Sequence, residues 1–398
     1  MRVLIALDKF KGALAAPEAC AVVAEVLRRE RPGWELDSAP LADGGDGFCR
    51  ILTAAAGGVL RTEQASGTLF LTERGPERSS VAIGWLELER LPVRARARLA
   101  LDAGARRLAI VEMAAVNGLA QVPPAQRDVW QSSSRGTGEL IARAAASGAD
   151  AVLLGVGGSA TSDLGLGALS ALGLRFEDAA GAALDPPLPS IWHQIARIRG
   201  EPHALPPLRI ACDVQNPLLG PHGAAAVYGP QKGLTPEQLP RFELEAERLA
   251  RLLCQHLGCD ESALEQPGAG AAGGIGFGLA VGAGAQLVAG FELVCDWLEL
   301  PSRSERADLV ITGEGRFDAT SLAGKGPGTL AREAARAGKG CAIFAGSIAL
   351  DLAARAALPA AVELIAISPP ELPLAAALSA TAENLARAVE VWLEQVAS

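Results

Sequence analysis

Short apolar runs punctuate this chain at 2–7, 107–111, 151–156, 208–212, 307–312, 341–345 and 363–367. Each is bounded by turn or helix signals, and continuous apolar runs of this length fit parallel strands buried on both faces. Between them the pattern turns helical over 17–30, 94–104, 138–147, 163–172, 237–257, 328–337 and 375–396. The strand–helix alternation predicts an α/β protein. Segment 59–90 differs: its Thr/Val-rich alternation, broken by Gly75-Pro76 and Gly84, predicts hairpins. Residues 268–290 carry no charge. They are rich in Gly and Ala and only weakly apolar, so they read as a Gly-rich loop and a tightly packed helix rather than a membrane span.

Polar residues stand at the C-terminal ends of the strand runs: Asp8, Glu112, the Gly157–Thr161 turn, Asp213, Glu314 and Ser347. In open α/β sheets ligands bind outside those ends. So many ends cannot line one site on one sheet, and a cleft between two sheets is the simpler arrangement. Gly-rich stretches, most of them after a strand run, hold a carboxylate, a lysine or a hydroxyl. They are Asp8-Lys9-Phe10-Lys11-Gly12, Asp43-Gly44-Gly45-Asp46-Gly47, Gly157-Gly158-Ser159-Ala160-Thr161, Gly229-Pro230-Gln231-Lys232-Gly233 and Gly313-Glu314-Gly315-Arg316-Phe317-Asp318. Glycine lets backbone approach a ligand closely. Exposed N–H groups in such turns cradle anions, and neighbouring carboxylates can hold a divalent cation. The pattern points to an enzyme that handles a phosphorylated ligand and a metal.

At 398 residues the chain predicts two domains. Strand 2–7 has few neighbours before the irregular 59–90 segment, so the opening domain is expected to be completed by the last third of the chain. A net charge of −9 argues against a general binder of nucleic acid or of anionic membranes, so an anionic ligand needs a local cationic pocket. The chain has only five Lys against 31 Arg, and four of those Lys touch a Gly. A compact ammonium is a usual phosphate ligand that Arg does not automatically replace. This singles out Lys9, Lys232 and Lys325, whereas Lys339 fits a helix-ending turn. Seven scattered Cys with no CxxC predict reduced thiols in a cytoplasmic protein. Cys254, His256 and Cys259 lack an evident fourth ligand for zinc and sit at the end of a helix, where Cys packs as a small hydrophobe. The N-terminal run enters a strand directly, without a signal-peptide pattern.

Asp43-Gly44-Gly45-Asp46-Gly47 reads as a metal or ligand turn, with Asp46 able to cap a following helix. Gly155-Val156-Gly157-Gly158-Ser159-Ala160 fits GxGxxA, with Glu177 about 20 residues on. That fingerprint supports an alternative, an NAD-dependent oxidoreductase. The same turn could cradle ATP phosphates, with Ser159 and Thr161 donating and Asp163 near the metal. Asp213 and Asn216 lie just past a strand, as a general base or metal ligand or as an Asx turn before Pro217. Neither a Walker A sequence nor an HRD triplet occurs, so the phosphate site is of another type.

In order along the chain, these motifs resemble the bacterial glycerate kinase type 1 family. The resemblance rests on the turns at Asp8–Gly12, Ala42–Gly47, Gly157–Thr161 and Gly229–Gly233. It extends to Glu112-Met113-Ala114-Ala115, Ser134-Arg135-Gly136-Thr137-Gly138-Glu139-Leu140-Ile141, Cys212-Asp213-Val214, Asn216-Pro217-Leu218, Gly268–Gly274 and Thr312-Gly313-Glu314-Gly315-Arg316. Phe48, Ser162 and Leu164 depart from the family's usual Thr, Asn and Gly, and segment 59–106 matches poorly.

The resemblance implies ATP-dependent phosphorylation of D-glycerate, with 2-phosphoglycerate the favoured product; a kinase for another small hydroxy or sugar acid is the nearer alternative. It implies a Rossmann-like parallel α/β/α domain built from both chain ends, with a second α/β domain inserted and the active site in the cleft. We assign 1–80 with 295–398 to the first and 81–294 to the second. Phosphoryl transfer relies on positioning and charge neutralisation. On this reading Mg²⁺ would be held by Asp43, Asp46 and Asp318. Lys9 and Lys232 spread the transferring charge, and Asp213 accepts the substrate proton, with Asp8 second. Gly157, Gly158, Ser159, Thr161, Gly313, Glu314 and Lys325 bind ATP, and Asn216 and Arg316 bind the substrate. The expected partner is a small molecule, with no nucleic acid and no membrane, and the expected state is a monomer or homodimer.

Overall fold

The structure, a computed structural model, describes residues 1–70, 76–322, 326–369 and 371–396. Its strands are β1 (Arg2–Leu7), β2 (Glu35–Ser38), β3 (Val59–Ser66), β4 (Arg78–Glu87), β5 (Arg107–Glu112), β6 (Ala151–Gly155) and β7 (Arg175–Glu177). They continue with β8 (Arg197–Arg199), β9 (Leu208–Ala211), β10 (Gln286–Val288), β11 (Leu309–Asp318), β12 (Gly340–Ala349) and β13 (Val362–Ala366). The class is α/β, with parallel sheets flanked by helices. The chain divides into two compact units, Met1–Asp43 with Val294–Ser398, and Gly44–Leu293.

The first unit is built on a sheet of order β13-β12-β11-β1-β2, parallel throughout. β1 is almost wholly apolar, and Val3 to Leu7 are fully buried because both sheet faces are covered. The helix Ala16–Glu30 covers one of them. Glu18 reaches back to the Ala15 N–H at its start, and Ala19, Cys20, Val23, Ala24 and Leu27 form its buried stripe. From β1 the chain runs outward to β2 on one side, and β11, β12 and β13 step outward on the other. Strand order therefore reverses between β1 and β11, the kind of switch point at which open α/β sheets bind ligands.

The second unit holds a six-stranded sheet, β10-β9-β6-β5-β4-β3. β10, β9, β6 and β5 are parallel, and β3 and β4 add an antiparallel edge. β3 and β4 come from the segment expected as hairpins, of which residues 71–75 lie outside the described residues. Their pairing to β5, with Trp85 opposite Ala109 and Leu86 opposite Leu108, ties them to the second unit. The first boundary consequently falls at Asp43/Gly44, not at the 80/81 position read from sequence. β7 and β8 form a separate two-stranded antiparallel sheet.

Residues 268–290 contain the helix Ala271–Ala283, whose first turns carry left-handed backbone at Ala272, Gly273 and Gly274. Among the described residues no helix is long and apolar enough to cross a membrane. The helix Leu239–Leu257 ends on Gly258 in the left-handed region, where the Cys259 N–H caps the Cys254 carbonyl at 3.0 Å. That cap is what brings the two cysteines together. Burial pushes the Cys254 thiol up to about 12, and no group of three or more potential ligands among the described residues is placed to hold a metal.

Candidate active site

In the first unit the switch point gathers charge. The Asp8 N–H donates to the Gly313 carbonyl, joining the ends of β1 and the middle of β11 at 2.8 Å. Glycine is required at 313 because a Cβ there would lie 2.2 Å from the Phe344 carbonyl oxygen on β12. Asp8 Oδ1 accepts the Lys9 N–H at 2.7 Å, and Lys9 Nζ donates to Asp43 Oδ1 at 2.7 Å. Glu314 stands beside them. Burial pushes its carboxyl up to about 7, and the charges of Asp8, Asp318 and Asp43 push the same way against a hydrogen bond from Ser321. Its Oε1 is buried with no hydrogen-bond partner. This edge thus gathers the carboxylates of Asp8, Asp43 and Glu314, with the Lys9 ammonium on Asp43.

In the second unit the C-terminal ends of β5, β6, β9 and β10 share one edge. Glu112, closing β5, accepts from the Gly47 and Cys49 N–H groups at 3.1 and 2.9 Å and so caps the helix Phe48–Ala55. Past β6, the Gly157 N–H donates to the Gly44 carbonyl at 3.0 Å. A Cβ on Gly157 would lie 2.7 Å from Gly45 N, so two glycine turns stack backbone on backbone. Lys232 is buried under this turn, its Nζ donating to Ser159 Oγ at 3.0 Å and to the Thr161 carbonyl at 2.6 Å. Past β9, both Asp213 oxygens accept the Phe291 N–H at 3.0 Å, holding the half-buried carboxylate at the start of the helix Gly290–Trp297.

The profile of the glycerate kinase family matches residues 3–397. The chain belongs to the glycerate kinase family. It is 36% identical over 392 residues to the glycerate kinase of Bacillus subtilis, covering 97% of this chain and 95% of that protein. It is 34% identical over 370 residues to the glycerate 2-kinase of Escherichia coli, covering 88% and 87%. A crystal structure from Salmonella typhimurium LT2, provisionally named glycerate kinase 2, superposes with a TM-score of 0.73 at 35% identity, over 100% of this chain and 98% of that one. This family member is therefore an enzyme of the kinase class.

Several residues expected at the site are buried or tied by hydrogen bonds to their own loops in this glycerate kinase family member. Asp163 is fully buried and accepts four hydrogen bonds, from the Ser134 N–H and hydroxyl at 2.7 and 2.8 Å and from the Gly165 and Gly167 N–H groups, both at 3.2 Å. It joins two helix starts and is not free to meet a metal. Thr161 has 0% exposure, and its hydroxyl is buried without a partner. The Asn216 amide bridges the His222 carbonyl and the Tyr228 hydroxyl at 2.8 and 2.7 Å, stapling its own loop. Asp318 Oδ1 accepts from the Thr320 N–H and hydroxyl, which hold its carboxyl below the usual range, and Oδ2 faces exposed Arg316 at 3.3 Å. Lys325 lies outside the described residues.

The dinucleotide fingerprint is also not built. The next helix is Leu166–Ala171, well past Ala160, and Glu177 ends a strand that pairs with β8, outside the parallel sheet. Glu177 is thus not placed beside β6 to read a nucleotide ribose, and the oxidoreductase alternative loses its geometry. One network had no reading in the sequence. Asn117 Nδ2 donates to the Ser133 carbonyl, and its Oδ1 accepts from the Thr137 N–H and hydroxyl. Ser-Arg-Gly-Thr opening a helix was the signal that could have revealed it.

The three carboxylates named for magnesium do not come together in one unit. Asp43 ends the first, while Asp46 belongs to the second, where a Cβ on Gly158 would lie 3.7 Å from its Oδ2. Asp8, Asp43 and Glu314 suit a hard cation in chemistry, and the partnerless Oε1 of Glu314 supports it. They do not form a preformed cage. Mg²⁺ is usually held by one or two carboxylates plus substrate phosphates, so this set fits an ion that arrives with the nucleotide.

Crowding at Glu314 has a measurable consequence for the ligand-free protein. Its folded pKa, raised to about 7, exceeds the ordinary 4.5. The unfolded chain then binds fewer protons between those values, and stability falls as pH rises through that window. Glu314→Gln removes this loss. Its melting temperature relative to wild type should rise between pH 5 and pH 8, and a constant difference over that range would contradict the raised carboxyl.

Proposed function

We propose that this chain transfers the γ-phosphoryl group of ATP to D-glycerate, giving 2-phosphoglycerate and ADP, with Mg²⁺ accompanying the nucleotide. The observation that carries the reading is the Asp8, Lys9, Asp43 and Glu314 group at a sheet switch point, in a chain that matches glycerate kinases over nearly its whole length. The 2-hydroxyl is favoured because a relative with most of its length aligned is a glycerate 2-kinase.

Phosphoryl transfer needs charge neutralisation, a positioned acceptor and a proton sink. Lys9 supplies the mobile positive charge. Asp8, Asp43 and Glu314 would hold the magnesium ion, which when bound neutralises phosphate charge. Gly158 and Ser159 offer N–H and O–H donors to an anionic oxygen, while the Gly157 N–H is held by the Gly44 carbonyl. Asp213 takes the proton of the attacking hydroxyl, and exposed Arg316 is the candidate for the substrate carboxylate. The test is coupled ADP release with ATP, Mg²⁺ and a panel of small hydroxy acids. D-glycerate should give the largest turnover, with 2-phosphoglycerate identified by NMR. No substrate-dependent ADP from folded protein rejects the reaction, and preference for another acid rejects the substrate.

A further inference from the structure

Lys232 was expected to touch the transferring phosphoryl group, but the structure buries it, leaving 2% exposed. The loop that carries it is wedged in position. A Cβ on Gly229 would lie 2.3 Å from the Ala225 carbonyl oxygen, and one on Gly233, at φ +95°, would lie 2.2 Å from the Arg127 carbonyl oxygen. Arg127 Nη1 also donates to the Gln231 carbonyl at 3.2 Å. The ammonium is therefore delivered from below to the turn after β6, where it meets Ser159 Oγ and the Thr161 carbonyl.

An ammonium has three donors and no acceptor. Burial pulls the Lys232 pKa down to about 7 against the charge of Asp163; in the charged form Nζ lies 3.0 Å from Ser159 Oγ, which then accepts and turns its own hydrogen elsewhere. Among the described residues that hydrogen has no acceptor. The same holds for the backbone N–H groups of Gly158 and Ser159, whose neighbours Gly157 and Ala160 are paired to the Gly44 and Asn117 carbonyls. Gly158 stands at φ +71° and is exposed. Three donors thus lie together on a turn whose shape is held from behind, with no acceptor among the described residues to satisfy them.

We infer that Lys232 is a positioning residue: its buried ammonium locks the Ser159 hydroxyl as an outward donor, so that Ser159 O–H and the Gly158 and Ser159 N–H groups bind an anionic oxygen of the substrates. This rests on the phosphoryl-transfer reading above. The oxygen belongs either to an ATP phosphate or to the hydroxy-acid carboxylate, and both offer the same acceptor chemistry. Lys232 acts through Ser159 and does not touch the ligand. Neutralising the ammonium would let the Ser159 hydroxyl turn inward, and the ligand would lose a donor although the turn remained.

A double-mutant cycle on the full-length protein tests this, using Ser159→Ala, Lys232→Met and the pair. It is read as ATP affinity by calorimetry and as KM for the hydroxy acid. Ser159→Ala should weaken one of the two by about 10- to 100-fold, the range for a hydrogen bond to a charged group. Loss in ATP affinity assigns the oxygen to phosphate, and loss in KM for the acid assigns it to carboxylate. Lys232→Met should weaken the same parameter, and the double variant should be no worse than the poorer single one. Ser159→Thr, which keeps the hydroxyl, should recover most of the affinity. Losses that multiply in the double variant would overturn the inference, because Lys232 would then contact the ligand independently. An unchanged Ser159→Ala would overturn it as well. Where Lys232→Met does not fold, Lys232→Arg takes its place in the cycle. ATP affinity is measured without glycerate, so failure of the proposed substrate leaves this result readable.

Discussion

Asp213→Asn should lower kcat by about 10²–10⁴-fold, the range for a positioned acid–base group. The substitution keeps shape and removes basicity. Asp213 follows β9 on the edge shared by the parallel strands of the second unit, and both its oxygens accept the Phe291 N–H at 3.0 Å. The amide oxygen of Asn can keep one such bond, so the start of the helix Gly290–Trp297 should hold. On the proposed mechanism the Asn amide cannot take the proton of the attacking hydroxyl. ATP affinity, measured by calorimetry, should stay within a few-fold of wild type, and the melting temperature should barely move. A variant that retains kcat within a few-fold would move the base to Asp8, at the switch point of the other sheet.

Gly273→Ala should be among the most damaging single methyls in the second unit. Gly273 has φ +73°, and its added Cβ would lie 2.1 Å from the Thr161 carbonyl oxygen and 2.5 Å from Ser162 Cα. Those atoms are backbone and cannot swing aside. The Thr161 carbonyl is held from another direction by Lys232 Nζ at 2.6 Å, and the Leu164 N–H donates to the Gly273 carbonyl at 3.0 Å. Left-handed strain costs about 1–2 kcal/mol, and overpacking of a close-packed site about 1–3 kcal/mol more. Gly284→Ala is the control. It shares the left-handed backbone, at φ +61°, but a Cβ there meets nothing within 4 Å. Thermal melts should place Gly273→Ala several degrees below the control and weaken ATP binding through the displaced Ser159–Thr161 turn. Equal melts for the two variants would mean that the turn yields more easily than its contacts indicate.

The central strand runs of the chain were legible because a parallel strand inside a sheet is buried on both faces and must be apolar almost throughout. Arg2–Leu7 and Ala151–Gly155 show this at its plainest. β2 and β10 were not legible. Glu35–Ser38 is a polar edge strand, and Gln286–Val288 is three residues long, so neither carries a continuous apolar signal. The first unit boundary was misread for a related reason. The alternation of β3 and β4 announces hairpins, but it does not say which sheet they join, and pairing to β5 decides that.

Chemistry followed the same division. Residue type and glycine spacing were enough to single out Asp8, Lys9, Asp43, Ser159, Asp213 and Glu314, because a tight turn beside a strand end has few uses for a carboxylate or lysine other than binding. They could not separate residues that face a ligand from residues that hold the turn. Lys232 and Thr161 sit in glycine-rich motifs of the same appearance as Lys9, yet Lys232 and Thr161 are buried whereas Lys9 is only partly so. Asp163 reads as a metal ligand until its four hydrogen bonds to two helix starts are seen. Local sequence determines the α/β class, the turns and the inventory of reactive groups, because backbone conformation and strand burial are set by neighbours along the chain. Which groups are exposed, paired or sealed beneath a turn is decided by residues far away in sequence, such as Lys232 under Ser159 and Gly273 against Thr161. Those contacts arise only when the chain has packed.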